Sequence, residues 1–319
     1  MSRWLLSRNM EQNKIDKTNK FIWYRGLIDS ARPKQWIKNL IVYFALFFTV
    51  GESWQLSNAE EASRLLLRST AAFAIFCLIT SSIYVVNDVL DKDKDRHHLK
   101  KKTRPIAADQ IDTKLALGFA GIIAVIGAIG SYLLGPSSLL MIIGYFLLMI
   151  LYSVYLKQIV IVDVITISLG FVIRAVTGAI VIDVSVSPWL YVCTGLAALF
   201  IGFSKRLNEK KSAGADGYLQ RETLEEYSVD FLHQLIAISA TSSLLAYTLY
   251  TFTSPNLPTN NAMMLTIPFV VYGLLRYLFL VNVRNQGELP EEIILKDLPL
   301  KISVAIWLLV GFTILIYYR

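Results

Sequence analysis

Residues 84–107, YVVNDVLDKDKDRHHLKKKTRPIA, lead from an apolar run into four aspartates and then a cluster of bases. The apolar run that ends there is long enough to cross a bilayer. Carboxylates attract cations, whereas lysines and arginines attract phosphate. The stretch therefore predicts a chain that lies in lipid and carries polar chemistry where one span meets water.

The composition extends this prediction to the whole chain. Of the 319 residues, 55% are hydrophobic and 17% are charged, the net charge is +7, and the mean hydropathy is +0.51. These values are typical of a membrane protein and exclude an ordinary soluble domain. Cys77 and Cys193 lie in apolar runs, so we expect buried thiols and neither a disulfide nor a metal site. The predicted class is an all-α, polytopic membrane protein, and no nucleic acid is expected as a partner.

Nine apolar segments have about the 17–25 residues that a transmembrane helix needs. They cover residues 36–53, 68–86, 115–134, 137–156, 159–181, 188–204, 233–253, 261–283 and 299–318. The first is the weakest, because its strictly apolar part runs only from Leu40 to Val50. We therefore predict nine transmembrane helices.

Lysine and arginine placement predicts the orientation. These bases accumulate in the N-terminal segment and after the second, fourth, sixth and eighth spans, whereas the third, fifth and seventh connections contain none. Because positive loops stay on the cytoplasmic side, the N-terminus is expected in the cytoplasm and the C-terminus outside. The predicted location is the inner (plasma) membrane, with the polar residues facing the cytoplasm.

The acidic motif is NDxxDxxxD. If it continues the second span as a helix, Asp91, Asp95 and Asp88 lie about 40°, 80° and 100° from Asn87, whereas Asp93 falls on the far side. Carboxylates on one face repel each other unless a cation lies among them, and hard oxygen ligands suit Mg²⁺. We therefore expect the three carboxylates on this face to be catalytic Mg²⁺ ligands. The alternative is a solvated charged loop that its own lysines neutralise.

Basic and amide groups near the span ends are candidates for binding phosphate. Arg104 precedes Pro105, and the turn expected there would fold this arginine back toward the acidic face. Lys38 and Asn39 lie just inside the first apolar run. Anchoring of the helix ends on the cytoplasmic side is the alternative role for such bases.

A polar stripe enters the membrane on the fifth span. Thr166, Gly170, Arg174 and Thr177 fall within about 60° of Asp163 on the same helix face. Charged groups at this depth are functional candidates, and an internal structural ion pair is the alternative.

Two further polar groups lie at the cytoplasmic ends of spans. The stretch LYSVYLK places Tyr152 and Lys157 after the fourth span, and SKRLNEKK places Lys205, Arg206 and Glu209 after the sixth. Lys205 and Glu209 have the spacing of a surface ion pair on a helix, which is the alternative interpretation.

Together these motifs resemble the UbiA superfamily of intramembrane prenyltransferases, and the resemblance covers nearly the whole chain. The stretches RPKQWIKNL, NDVLDKDKDRHHLKKKTRPIAAD, LYSVYLK, LGFVIRAVTGA and SKRLNEKK look like the decaprenyl-phosphate phosphoribosyltransferase branch. Superfamily members that prenylate an aromatic ring carry DxxxD after the sixth span, where this chain has Lys205 and Glu209. This departure favours a substrate with an additional phosphate.

The resemblance implies a helical bundle with a central cavity that faces the cytoplasm. It divides the chain into a cytoplasmic N-terminal segment, residues 1–35, and a catalytic transmembrane domain, residues 36–319. It also implies Mg²⁺-dependent transfer of 5-phosphoribosyl from phosphoribosyl diphosphate to a polyprenyl phosphate, for cell-envelope glycan synthesis. The residues expected to contact substrate are Lys38, Asn39, Asn87, Arg104, Tyr152, Lys157, Asp163, Arg174, Lys205, Arg206 and Glu209.

Two other functions stay open at this point. A UbiA-type transfer of a prenyl group to an aromatic acceptor would need a second acidic pair. A membrane carrier could use Asp163 and Arg174, but it predicts polar residues on both sides of the membrane, whereas here they concentrate on one side.

Overall fold

The computed structural model describes residues 23–97, 101–185, 187–213, 223–284 and 290–318. Most of the predicted N-terminal segment, residues 1–22, lies outside the described residues. The described chain is almost entirely helical, and its extended pairing is limited to a bridge between Val50 and Trp54. Its residues fall into two units, one within Met1–Trp36 and Cys77–Gly127 and the other within Ile37–Phe76 and Ala128–Arg319.

The α-helices follow one another with short connections. They are α1 (described over residues 23–30), α2 Phe44–Phe48, α3 Ala59–Leu90, α4 Lys92–Arg96, α5 Thr113–Leu134, α6 Pro136–Val154, α7 Val162–Val181, α8 Pro188–Ala213, α9 Thr223–Glu226, α10 Val229–Thr253, α11 Ile267–Asn282, α12 Pro290–Lys296 and α13 Leu298–Tyr317. Short 3₁₀ helices cover Pro33–Tyr43, Lys101–Thr103, Leu156–Gln158 and Ala262–Thr266.

Eight helical spans in the described residues are long and apolar enough to cross a membrane. They are α3, α5, α6, α7, α8, α10, α11 with the 3₁₀ turn before it, and α13. These spans match eight of the nine predicted segments and confirm a multi-pass membrane protein.

The first predicted segment has a different structure. Pro33–Tyr43 is a 3₁₀ helix, and only Phe44–Phe48 is α-helical. In the sequence, Lys38 and Asn39 interrupt the first half of this segment and leave a short apolar run from Leu40 to Val50. A 3₁₀ helix rises about 2.0 Å per residue and an α-helix about 1.5 Å, so the 3₁₀ winding makes this segment longer for its number of residues.

In the first unit, the chain before the first span is held against α3. Trp36 donates its indole N–H to the Ser81 hydroxyl at 3.0 Å, and Ser81 donates to the Ala31 carbonyl oxygen at 2.9 Å. The apolar core of this unit consists of Leu27, Val85, Ile106, Ile111, Ala116 and Ala120. These contacts position α1 and the loop after α4 beside the acidic end of α3.

In the second unit, α7 is the most enclosed of the later helices. Its buried side includes the whole polar stripe predicted from the sequence. At Gly178, a Cβ atom would lie 2.1 Å from the Val42 carbonyl oxygen, so the backbones of α7 and the first span touch directly. Small residues permit such close approach between membrane helices.

Candidate active site

The acidic motif forms the end of α3 and continues into α4 with a one-residue break. The Asp91 N–H donates to the Asn87 carbonyl oxygen at 2.9 Å, and the Asp95 N–H donates to the Asp91 carbonyl oxygen at 2.8 Å. The helical path therefore passes through Asp91, although this residue lies between the two helices. Asp88 and Asp95 are buried, whereas the Asp93 side chain is 91% exposed. The helix-face prediction thus separates Asp93 from the other carboxylates correctly.

Arg104 joins two of these carboxylates. Its Nη1 lies 3.0 Å from Asp88 Oδ1 and 2.6 Å from Asp95 Oδ2. The turn predicted at Pro105 is present, because the Ala108 N–H donates to the Arg104 carbonyl oxygen at 2.8 Å. The predicted return of Arg104 to the acidic face is therefore confirmed.

Asp109 anchors the loop after α4, which carries Arg104. It accepts hydrogen bonds from Lys92 Nζ at 2.8 Å and from Arg96 Nη2 at 2.5 Å, and both bases lie on α4. The hydrogen bond from Lys92 is the main cause that lowers the pKa of the Asp109 carboxyl, and the charge of Arg96 acts in the same direction. Asp109 therefore stays ionised near neutral pH and keeps the loop that carries Arg104 in place.

Arg32 is a second base on the acidic cluster and was not among the predicted site residues. Its guanidinium bonds Asp88 Oδ1 and lies 5.0 Å from the centroid of the Tyr84 ring. One signal could have identified it: Arg32 and Arg104 each precede a proline, in the stretches ARPKQW and TRPIAA. Both of these arginines converge on Asp88.

The donor set fits a hard cation. Carboxylate oxygens are the ligands that Mg²⁺ prefers, and Asp88 and Asp95 already contact the same cationic nitrogen of Arg104. In the described residues, however, no three acidic, histidine or cysteine side chains converge closely enough to hold a metal. Arg104 therefore supplies the positive charge between these two carboxylates.

A second polar cluster centres on Arg206. This side chain is buried, with its Nε 2.6 Å from Asp163 Oδ2 and its Nη1 2.6 Å from Glu209 Oε2. Its Nη2 reaches the Tyr152 hydroxyl at 3.5 Å. Arg206 is thus the counter-charge of Asp163, and Arg174 is not its ion-pair partner.

Three sequence-predicted residues beside this cluster are partly accessible. Lys205 Nζ lies 3.8 Å from Glu209 Oε1, and their side chains are 35% and 20% exposed. Lys157 is half-buried in the 3₁₀ turn before α7. These side chains, unlike that of Arg206, are partly exposed to solvent.

Tyr227 also belongs to this cluster and was not among the site residues predicted from the sequence. Its hydroxyl donates to Asp163 Oδ1 at 3.0 Å and accepts the Ile161 N–H at 2.6 Å. Burial raises the pKa of the Tyr227 phenol, and the negative charge of Asp163 adds to the increase. The phenol therefore remains a proton donor at every physiological pH.

Arg174 and Asn39 lie together in a third, enclosed group. Arg174 Nε donates to Asn39 Oδ1 at 2.9 Å, and Nη2 donates to the Tyr145 hydroxyl at 2.5 Å. The guanidinium also lies 4.8 Å from the Tyr145 ring centroid and 5.1 Å from that of Phe171. All the partners of Arg174 in the described chain are neutral, and cation–π contacts supply part of the stabilisation that a carboxylate would otherwise give.

The second unit also contains an apolar cavity of about 480 Å³. Its walls come from α2, α7, α8, α10, α11 and α13 and include Phe48, Phe171, Trp189, Phe200 and Trp307. This volume is in the range of small-molecule binding sites, and such walls suit an apolar ligand.

The sequence of residues 44–293 matches the model of the UbiA prenyltransferase family. Together with the helical fold and the acidic motif, this match defines the class: the chain belongs to the UbiA prenyltransferase family and is a membrane-bound transferase.

Two curated relatives are similar over almost their full length. The chain is 34% identical to the decaprenyl-phosphate phosphoribosyltransferase of Mycolicibacterium smegmatis, over 89% of this chain and 90% of the relative. It is 31% identical to the protein of the same name from Mycobacterium tuberculosis, over 89% of this chain and 92% of the relative.

Solved structures support the fold. A UbiA homologue from Archaeoglobus fulgidus bound to GPP and Mg²⁺ aligns with a TM-score of 0.69 at 16% identity, covering 91% of this chain and 99% of that one. The same homologue bound to DMAPP and Mg²⁺ aligns with a TM-score of 0.67 at 16% identity, covering 91% and 98%. The predicted UbiA fold is thereby confirmed.

Proposed function

We propose that the chain transfers 5-phosphoribosyl from phosphoribosyl diphosphate to a membrane polyprenyl phosphate and releases diphosphate. The product is polyprenyl-phosphoryl-5-phosphoribose, a lipid-linked precursor for cell-envelope glycans. We place the protein in the inner membrane with its N-terminus and active site on the cytoplasmic side, because the positive connections lie there.

The observation that carries the proposal is the charge balance of the cluster after the sixth span. Arg206 is bonded to both Asp163 and Glu209, and Lys205 lies 3.8 Å from Glu209. Two bases therefore face two carboxylates in the described part of this cluster, and each carboxylate is bonded to a base rather than placed as one of a pair for the metal of a prenyl diphosphate. A lysine at this position suits a phosphate group. The names of the two mycobacterial relatives support the same substrate class.

The acidic cluster has the groups to bind a diphosphate. Mg²⁺ held by Asp88, Asp91 and Asp95 would neutralise charge on the diphosphate and so make it a better leaving group. Arg32 and Arg104 stand beside these carboxylates and can donate to the diphosphate oxygens as negative charge develops on them.

The bond changes need no proton transfer. A phosphate oxygen of the lipid attacks the anomeric carbon, and the bond from that carbon to the diphosphate oxygen breaks, with the electron pair leaving on diphosphate. Since the attacking phosphate is already an anion, no general base is required. The apolar cavity gives the isoprenoid chain of the acceptor a place among aromatic side chains.

The other predicted site residues divide by accessibility. We propose substrate contact for Lys38, Asn87, Lys157, Lys205 and Glu209. We propose a supporting role for Asn39, Asp163, Arg174 and Arg206, which are buried, and for Tyr152, whose hydroxyl meets the buried Arg206.

Transfer of label is the direct test. Purified protein with Mg²⁺, polyprenyl phosphate and radiolabelled phosphoribosyl diphosphate is expected to move label into the organic phase. Asp91→Asn should reduce the rate by roughly 10³-fold, because several kcal/mol of charge stabilisation depend on the metal ligands. Asp93→Asn is the matched control and should keep wild-type activity, since Asp93 faces away from this cluster.

Two results would contradict the proposal. One is prenyl transfer from a prenyl diphosphate to an aromatic acceptor without any phosphoribosyl transfer. The other is equal activity of Asp91→Asn and Asp93→Asn, which would separate the reaction from the acidic face.

The position of Arg104 leads to a prediction about metal binding. Because its guanidinium lies between Asp88 and Asp95, it competes with any cation at these carboxylates. Arg104→Gln is expected to tighten binding of Mn²⁺, a paramagnetic probe for Mg²⁺, by roughly 10-fold without diphosphate, since a close charge contributes at least about 1 kcal/mol. Affinity for diphosphate should fall in the same variant. Electron paramagnetic resonance of free Mn²⁺ measures the first effect.

Lys114→Gln controls for the loss of a positive charge. Lys114 is exposed near the start of α5, so its removal should leave Mn²⁺ affinity within about 2-fold of wild type. Equal Mn²⁺ affinity of the Arg104 variant and wild type would show that the arginine does not compete for the site.

A further inference from the structure

Tyr227 was not among the site residues predicted from the sequence, yet it is fully buried and makes two polar contacts. The donated bond goes to a carboxylate oxygen of Asp163, and the accepted bond comes from the main-chain N–H of Ile161. These two groups lie at the N-terminal boundary of α7. The phenol therefore connects the segment after α9 to the start of a membrane helix.

The backbone at Ile161 is strained. Its φ of 71° and ψ of −46° place a β-branched residue in a region that few side chains tolerate. The Val162 N–H donates to the Val160 carbonyl oxygen at 2.8 Å, which closes a three-residue γ-turn around Ile161. Turns of this hand are rare and persist where the surroundings hold them. The Tyr227 hydroxyl is the side-chain group that holds this one, through the Ile161 N–H.

The strained turn determines where two charged residues lie. Lys157 precedes it in the adjoining 3₁₀ turn, and Asp163 follows it in the first turn of α7. Asp163 in turn forms an ion pair with Arg206, and Arg206 forms one with Glu209, so that each side chain holds the next in position. A continuous series of short contacts thus runs from the Ile161 backbone through the phenol to the partly exposed Glu209.

We infer that Tyr227 is a positioning residue for phosphate recognition. Its hydroxyl holds the strained turn and the Asp163 carboxylate in one arrangement, so that Lys157 and Lys205, the latter beside Glu209, meet the phosphate groups of the substrate with fixed spacing. This role rests on the proposed phosphoribosyl transfer. It does not make Tyr227 a catalytic residue, since its phenol bonds protein groups at both of its contacts.

Tyr227→Phe is the test, because it removes the hydroxyl alone. The KM for phosphoribosyl diphosphate is expected to rise by about 10-fold or more, as misplacement of supporting groups commonly has effects of this size. The kcat should change by less than about 2-fold, since the acidic cluster is untouched. Amide hydrogen exchange in the peptide containing Ile161 should accelerate, and this readout needs no substrate.

Two further variants separate positioning from general stability. In an Ile161→Gly background the turn is no longer strained, because glycine tolerates positive φ. The KM effect of Tyr227→Phe should therefore become smaller there. Tyr43→Phe removes a phenol hydroxyl that bonds Thr70 at 3.0 Å, and it should leave the KM unchanged.

The outcomes distinguish this inference from the proposed function. Faster exchange at Ile161 with an unchanged KM overturns the positioning role, and so does an unchanged exchange rate. An equal KM effect of Tyr227→Phe with isoleucine and with glycine at position 161 overturns the part assigned to the strained turn. Absence of phosphoribosyl transfer by the wild type overturns the proposed function and, with it, this role of Tyr227.

Discussion

Arg206→Met is expected to lower the free energy of unfolding by about 3–5 kcal/mol, because it leaves Asp163 buried without its counter-charge. Arg206 and Asp163 are both almost inaccessible to solvent and are joined by a 2.6 Å contact. Methionine is similar in length and apolar, so the loss should come mainly from the unpaired carboxylate. The midpoint of thermal unfolding in detergent, monitored by size-exclusion chromatography, measures the effect.

A double variant makes this prediction specific. Arg206→Met with Asp163→Leu removes both charges and should regain much of the stability that Arg206→Met alone loses. Arg64→Met is the control, because Arg64 is 67% exposed and lies 3.8 Å from Glu61. An exposed pair of this kind contributes at most about 1 kcal/mol. If the double variant were as unstable as Arg206→Met alone, the unpaired charge would not be the cause.

Gly178→Ala is expected to destabilise the protein by about 3 kcal/mol, at the upper end of the range for overpacking. The added Cβ would lie 2.1 Å from the Val42 carbonyl oxygen and 2.9 Å from its carbon. Because main-chain atoms cannot rotate away as a flexible side chain can, α7 would have to shift away from the first span. The fraction of folded protein after mild heating in detergent is a suitable measurement.

Gly144→Ala provides the matched control for this substitution. Gly144 lies within α6, and apart from its chain neighbours and its own helix backbone no described atom lies within 4 Å of the position of an added Cβ. Since alanine favours a helix over glycine by about 1 kcal/mol, this variant should be as stable as wild type or slightly more stable. Equal stability of both alanine variants would argue against direct backbone contact at Gly178.

The parts of the fold that depend on local pattern were predictable. Apolar length located eight of the spans, and helical periodicity placed Asp88 and Asp95 apart from Asp93. The first span differed in winding, because periodicity does not distinguish a 3₁₀ from an α-helical path when polar residues interrupt a short apolar run. Its apolar core, from Leu40 to Val50, was nevertheless recognisable.

The partners within the site were less predictable, because they come from distant parts of the chain. Arg32 meets Asp88 from 56 residues away, and Tyr227 meets Asp163 from 64 residues away. Helical periodicity sorts the side chains of one helix, but it does not select which other segment supplies the counter-charge. The proline after Arg32 is a local signal, whereas the local sequence around Tyr227 has no comparable one.

The neutral partners of Arg174 have a consequence for how the chain enters the membrane during synthesis. An arginine at the centre of an isolated helix costs about 2.5–3.5 kcal/mol to insert. Asn39 and Tyr145 precede Arg174 in the chain, so both are made before α7 leaves the ribosome. Asp163, in contrast, depends on Arg206 and Tyr227, which follow it. The partners of Arg174 are therefore synthesised before it, whereas the partners of Asp163, at the start of α7, are synthesised after it.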